Sequence, residues 1–264
     1  MGIVNVTPDS FSDGGRYLGP DAALAHARKL IADGADILDI GGESTRPGAE
    51  PVAEADEIAR TVPLIAAIRA ESRVPISIDT MKPAVARAAV AAGATIWNDV
   101  AALRFSAEAP AVAAELGCEV VLMHMLGEPR TMQDDPRYDD VVAEVEGFLL
   151  DRAEAAVAAG VAREKIWLDP GIGFGKTPAH NLALMAALPR LCGHGHRVLL
   201  GASRKRFIAA LDPLAKDAGM RLGGSIALAL AGARAGVAAV RVHDVRETAQ
   251  ALAVQAAVEG HASF

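Results

Sequence analysis

The sequence predicts an α/β chain closed into a (β/α)8 TIM barrel, on three observations. A short unit recurs along the chain: an alanine-rich helical stretch, a glycine, a short apolar run, then a polar residue. The apolar runs lack clean alternation, which suits parallel strands covered on both faces. Eight such runs fall within 264 residues, and barrels of roughly 200–250 residues routinely form one domain. An open doubly wound sheet is the competing architecture. No Ser/Pro-rich linker, low-complexity tract or charge block divides the chain, so residues 1–264 read as one domain.

The elements follow in order. The first strand is expected at Ile3–Val6 and the first helix at Asp21–Ala32. Gly34 closes that helix before Ile37-Leu38, which ends at Asp39. A helix over Ala53–Ala70 leads to Ile76–Ile78 and Asp79. Pro83–Ala92 is helical, and Gly93 separates it from Thr95-Ile96-Trp97, which ends at Asn98-Asp99. Gly117 precedes Val120–Met123 and His124, and Gly160 ends a helix over Ala143–Ala159 before Ile166–Leu168 and Asp169. Val198–Leu200 is the seventh strand; after Gly236, Val240–Val242 is the eighth, ending at His243-Asp244. A glycine just past a helix adopts the left-handed conformation that closes it, and the helices are long enough for parallel crossovers.

Composition removes several functional classes. Hydrophobic residues make up 52% of the chain and charged residues 22%, with a net charge of -7. That is too apolar for a disordered chain. It also lacks the basic balance of a nucleic-acid surface. No apolar run is long enough to span a bilayer. Cys118 and Cys192 have no Cys-x-x-Cys spacing, which leaves no support for zinc or a redox dithiol and fits a reducing compartment. Met1–Ser10 has neither the basic start nor the apolar run of a signal peptide, so a cytoplasmic protein is expected.

The strand tips carry the functional signal. They offer Asn5, Asp39, Asp79, Asn98, His124, Asp169, Ser203 and His243. Barrel enzymes build their sites at the C-terminal ends of the strands. Asp and Asn often begin turns, which explains any one tip but explains all eight poorly. Asp79, Asn98 and Asp169 together offer acceptors and an amide to a flat heterocycle bearing N–H donors.

The loops add anion chemistry. Asn5–Gly15 is polar, with two acids and a Gly pair, and suits a closing loop with oxygen ligands for Mg2+. An ordinary strand–helix turn reads that stretch equally well. Gly41–Gly48 contains Arg46 and suits an anion or carboxylate. Ser203-Arg204-Lys205-Arg206 follows the seventh strand, where barrels frequently bind phosphate. Arg241 and His243, two apart, share a strand face. Gly171–Thr177 imitates a P-loop, but Pro170 stands where the motif requires its first glycine. His194-Gly195-His196 precedes the seventh strand and reads as a surface turn on the opposite barrel face. Met123 and Met125 flank His124 as soft wall or simple core.

Taken together, these motifs resemble the dihydropteroate synthase family along essentially the whole chain. The likeness runs from Asn5-Val6-Thr7-Pro8-Asp9-Ser10-Phe11-Ser12-Asp13-Gly14-Gly15 through Gly42–Gly48, Asp79-Thr80, Asn98-Asp99, Met123-His124-Met125, Leu168–Lys176 and Ser203-Arg204-Lys205 to Arg241-Val242-His243-Asp244. The resemblance implies a transferase. It would condense 7,8-dihydropterin-6-ylmethyl pyrophosphate with p-aminobenzoate, with Mg2+ as cofactor and a homodimer as the assembly. It implies that Asp79, Asn98, Met123, Asp169, Lys205 and Arg241 surround the pterin. Lys205, Arg241, Asp79 and Asp169 would be the catalytic set. Thr45, Arg46, Pro47, Phe174 and Ser203 would frame p-aminobenzoate. Asn5, Arg241 and His243 would meet the pyrophosphate, with Asn5 on the metal. A pterin-binding methyltransferase domain and a non-catalytic pterin-binding paralogue are the alternatives. Two departures stand out. Family members carry a short segment before the first strand, often a hairpin closing the barrel floor, whereas Met1 here lies almost on that strand. That implies a trimmed chain or an open floor. Arg206 stands where the family often has a smaller or uncharged residue.

Overall fold

Successive strand residues point to opposite faces, and in this chain the two faces carry different chemistry. The computed structural model describes residues 1–6, 20–44, 50–127 and 131–260. Its strands are β1 (Gly2–Asn5), β2 (Leu38–Gly41), β3 (Ile76–Asp79), β4 (Ile96–Asp99), β5 (Glu119–Met123), β6 (Ile166–Asp169), β7 (Arg197–Leu200) and β8 (Ala239–Val240). The helices are α1 (Pro20–Ala32), α2 (Glu54–Glu71), α3 (Pro83–Ala91), α4 (Ala109–Leu116), α5 (Val141–Ala158), α6 (Pro178–Cys192), α7 (Phe207–Leu211), α8 (Leu222–Ala235) and α9 (Val245–Val258).

The strands pair in parallel, in sequence order from β1 to β8. The eighth strand divides its backbone between two neighbours. Arg241 N donates to Leu200 O on β7 at 2.9 Å. Val242 N donates to Met1 O at 2.9 Å and Ile3 N to Val242 O at 3.1 Å, which closes the ring. The regular ladder of β8 is therefore shorter than the expected Val240–Val242, because the chain changes partner there.

Outward-facing residues such as Val4, Leu38, Ile40, Ile76, Ile78, Trp97, Val120, Leu122 and Leu168 form the core beneath the helices. Inward-facing Met1, Ile96, Val121, Trp167 and Leu199, with Ile37 and Ala239, pack the N-terminal end of the barrel. This apolar layer forms the floor on which the polar residues stand. Two residues further along the same faces come Asp39, Asn98, Met123, Asp169 and Arg241. The period of two sets a polar layer directly on an apolar one.

The five glycines expected to stop helices, Gly34, Gly93, Gly117, Gly160 and Gly236, all have φ between 59° and 116°. Gly171 is the tightest of the remaining glycines. With φ at 66°, a Cβ added there would lie 1.9 Å from His124 O. Gly171→Ala should therefore cost at least ~2 kcal/mol, since backbone strain and a backbone clash add. A urea-unfolding midpoint unchanged by the substitution would contradict this packing.

Candidate active site

Arg241 organises the polar layer. Its Nε donates to Asp39 Oδ2 at 2.5 Å and its Nη2 to Asp79 Oδ2 at 2.8 Å. Asp39 is fully buried, and Asn98 Nδ2 lies 3.4 Å from each of its oxygens. Burial, with Asp39 alongside, pushes the Asp79 carboxyl upward, and Arg241 opposes the shift. Burial alone would lower the Arg241 guanidinium, but the two carboxylates outweigh it and hold it charged.

Asp169 closes the far side of the cup. Its Oδ1 accepts Gly171 N at 2.7 Å, while Oδ2 borders Gly201, where the absent side chain leaves room. Burial raises this carboxyl too. Lys205 Nζ stands 4.0 Å from the centre of the Phe174 ring, a cation–π contact. Burial and Arg241 push Lys205 down to about 8. Val100, Met123, Met125 and Met132 form an apolar cluster here, with Met81 and Phe174 against it.

Ser203 and His243 form a pair. Ser203 Oγ accepts His243 N at 3.2 Å and lies 3.0 Å from its Nδ1. The hydroxyl, accepting from the backbone, has its own proton to offer Nδ1, and in that tautomer the ring proton sits on Nε2. Burial and the nearby Arg241 hold this imidazole neutral, down to about 3. His243 is thus equipped to meet an anion as an N–H donor, not as a cation. Arg204 pairs with Asp244, Nε to Oδ2 at 2.9 Å, and has a left-handed φ of 58°. Arg206 is exposed. Of the basic tetrad, Lys205 is the residue directed at the cup.

Asn5, half-buried, borders Gly41 beside Asp79. His124 does not join these tips. Met123 points inward, so the next residue points outward. The His124 ring meets Phe148 on α5 edge-on at 4.9 Å, and Lys176 Nζ lies 2.9 Å from its Nδ1. His194 Nε2 pairs with Glu146 at 2.6 Å, away from the cup, and His196 is buried and not on the surface as expected. Thr45, Arg46 and Pro47, and the first loop from Thr7 to Gly15, lie outside the described residues.

Sequence reasoning missed Lys82. Its buried ammonium pairs with Glu43, donates to Glu57 Oε2 at 2.6 Å and donates to Val52 O at 2.8 Å. It ties the stem after β2 to α2. Glu57 Oε1 has no hydrogen-bond partner among the described residues. Lys82→Met should therefore destabilise the fold by ~3–5 kcal/mol, because two carboxylates lose the cation they share. Chemical denaturation checks this, and Glu57→Gln in the same background should recover part of the loss.

The donor set also tests the Mg2+ expectation. No cluster of three or more His, Cys, Asp or Glu side chains suited to a metal exists among the described residues. Mg2+ is usually held by one or two protein oxygens with waters and substrate phosphates. The amide oxygen of Asn5 fits that sparse pattern, and it does not fit an all-protein metal cage.

Comparisons with known proteins extend over nearly the whole chain. A family described as "Pterin binding enzyme" matches residues 1–243. The dihydropteroate synthase of Escherichia coli strain K12 is 46% identical over 254 residues, covering 96% of this chain and 89% of that protein. Among solved structures, Xanthomonas albilineans dihydropteroate synthase with 4-aminobenzoic acid is 51% identical, with a TM-score of 0.92, covering 98% of this chain and 92% of that one. A dihydropteroate synthase from Xanthomonas albilineans in complex with 7,8-dihydropteroate is 48% identical, with a TM-score of 0.89 and coverages of 98% and 92%.

Proposed function

Because the chain belongs to the dihydropteroate synthase family of pterin-binding enzymes, we propose that it is a transferase joining 7,8-dihydropterin-6-ylmethyl pyrophosphate to p-aminobenzoate. The products are 7,8-dihydropteroate and pyrophosphate. The observation that carries this reading is the polar layer of buried Asp39, Asn98 and Asp169 with half-buried Asp79 and Arg241, set on an apolar floor. A flat ring with N–H donors on its edge satisfies such a layer, and its apolar faces meet Met123 and the neighbouring thioethers.

In this reading Asp79, Asn98, Asp169 and Lys205 hold the pterin. Arg241 stacks on it and faces the departing diphosphate with the Nε2–H of His243. Loss of pyrophosphate breaks the C–O bond at the pterin methylene, and the negative charge goes to the leaving group. Arg241 and His243 act most strongly there, because preorganised donors in a dry site favour charge as it develops. The neutral aromatic amine attacks the methylene and then loses a proton, so no activated nucleophile is required. Phe174 and Ser203, with Thr45, Arg46 and Pro47, frame p-aminobenzoate. Asn5 would hold Mg2+, which would supply charge neutralisation for the leaving diphosphate.

The coarser settings are part of the same proposal. The whole chain acts as one pterin-binding barrel in the cytoplasm. Both cysteines are free thiols, and no helix of the described residues is long and apolar enough to cross a membrane. The chain pairs as a homodimer, the assembly that the family resemblance implies. Sedimentation equilibrium should then give twice the chain mass of 27.3 kDa.

The decisive experiment mixes the protein with the dihydropterin pyrophosphate, p-aminobenzoate and Mg2+. Pyrophosphate and dihydropteroate should appear together, and chelation by EDTA should suppress both. Methyl transfer from methyltetrahydrofolate without pyrophosphate release would replace this reading.

A further inference from the structure

We propose that Lys176 is a positioning residue for the amine side of the reaction: its buried ammonium pins the Gly171–Gly175 turn and thereby fixes Phe174 over Lys205. The inference rests on the assignment of Phe174 to p-aminobenzoate made above.

The glycine turn is held between two surfaces. On one side it presses on the loop after β5. A Cβ at Gly175 would lie 2.7 Å from both Cβ and O of Leu126, and the approach of Gly171 to His124 O is closer still. On the other side it rests against the catalytic lysine, since a Cβ at Gly173 would lie 3.0 Å from Lys205 Cδ. The turn thus determines where the Lys205 stem lies as well as where the Phe174 ring lies.

Turn carbonyls need donors, and each comes from a different segment. Gln133 Nε2 donates to Gly173 O at 2.7 Å and Tyr138 OH to Gly175 O at 2.8 Å. Lys176 Nζ, 3.0 Å from Phe174 O, is also 3.3 Å from His124 O and 2.9 Å from His124 Nδ1. As an ammonium Lys176 has three protons, one for each of these acceptors; burial pushes it down to about 7, so the full set is held below neutral pH and one proton is lost above it. Lys176 is only 3% exposed, so nothing else in reach of water competes for them. Burial keeps the His124 ring neutral, down to about 3, so its Nδ1 is free to accept. Lys176 meets three protein acceptors, although the run Gly175-Lys176-Thr177 imitates a phosphate-binding lysine. It is a tie between the turn and the loop after β5, one position from the ring it controls.

The test compares Lys176→Met and Phe174→Ala by steady-state kinetics, with dihydropterin binding measured separately. Lys176→Met should raise KM for p-aminobenzoate about tenfold, the effect of losing one charged hydrogen bond, with dihydropterin affinity within about twofold. Lys176→Arg, which keeps the charge and the donors, should recover part of that rise. An unchanged KM in Lys176→Met beside a raised KM in Phe174→Ala would overturn the pin and leave the site reading intact. Unchanged KM in Phe174→Ala would instead remove the assignment of Phe174. Amide hydrogen exchange separates the two questions. The pin requires faster exchange over residues 171–175 in Lys176→Met whatever Phe174 does, and unchanged exchange overturns it. If Lys176→Met does not fold, Tyr138→Phe, which frees the neighbouring Gly175 carbonyl, and His124→Leu, which removes one lysine acceptor, are read together. The pin requires the histidine variant to raise KM for p-aminobenzoate, and no rise there overturns it.

Discussion

Arg241→Ala is expected to lower turnover by about three orders of magnitude, the scale seen when one preorganised charge stabiliser is removed from a dry site. The substitution does two things. It removes the cation proposed to face the departing diphosphate, and it leaves Asp39 and Asp79 without the donor they share. The second effect should cost ~3–5 kcal/mol of stability, so turnover must be read below the lowered unfolding midpoint. KM for p-aminobenzoate should change far less than kcat, because the guanidinium sits with the pterin-side carboxylates. Equal losses in both, in a folded variant, would move Arg241 to the amine side.

Asp79→Ala should weaken dihydropterin binding by at least about a hundredfold, since a buried charged acceptor is lost at the ring edge. Isothermal titration with the pterin alone measures it. The pH dependence has a definite sign. Burial raises the Asp79 carboxyl, and the protonated form accepts N–H donors poorly. Pterin affinity should therefore begin to fall, as pH drops, well above the ~4 of an ordinary carboxylate. Affinity flat from neutral pH down to pH 5 would separate Asp79 from the pterin.

Much of this was legible because a barrel is periodic. The helix-ending glycines, the short apolar runs and the polar tips gave strand order and the end of the barrel that matters. His124 shows the limit of reading tips alone. Being last in a strand does not decide which face a side chain takes, and counting by two from Met123 does. Asp39 was visible as a tip, but its pairing with Arg241 spans most of the chain and leaves no local trace. Lys82 and Lys176 left a fainter mark. Each precedes a helix that begins with proline, Pro83 or Pro178, where a cation opposes the helix dipole. A lysine kept in that position needs an acceptor elsewhere, and the structure supplies carboxylates for one and carbonyls for the other.

The shared backbone of β8 has a consequence for biosynthesis. Arg241 arrives on the segment that also joins Ile3 to Leu200, so the group proposed to pull on the leaving diphosphate is delivered by the act of sealing the cylinder. A nascent chain still lacking its last strand has Asp39 and Asp79 but not the guanidinium that bridges them. Such an intermediate would hold these two neighbouring acids at an unsealed seam until β8 is in place.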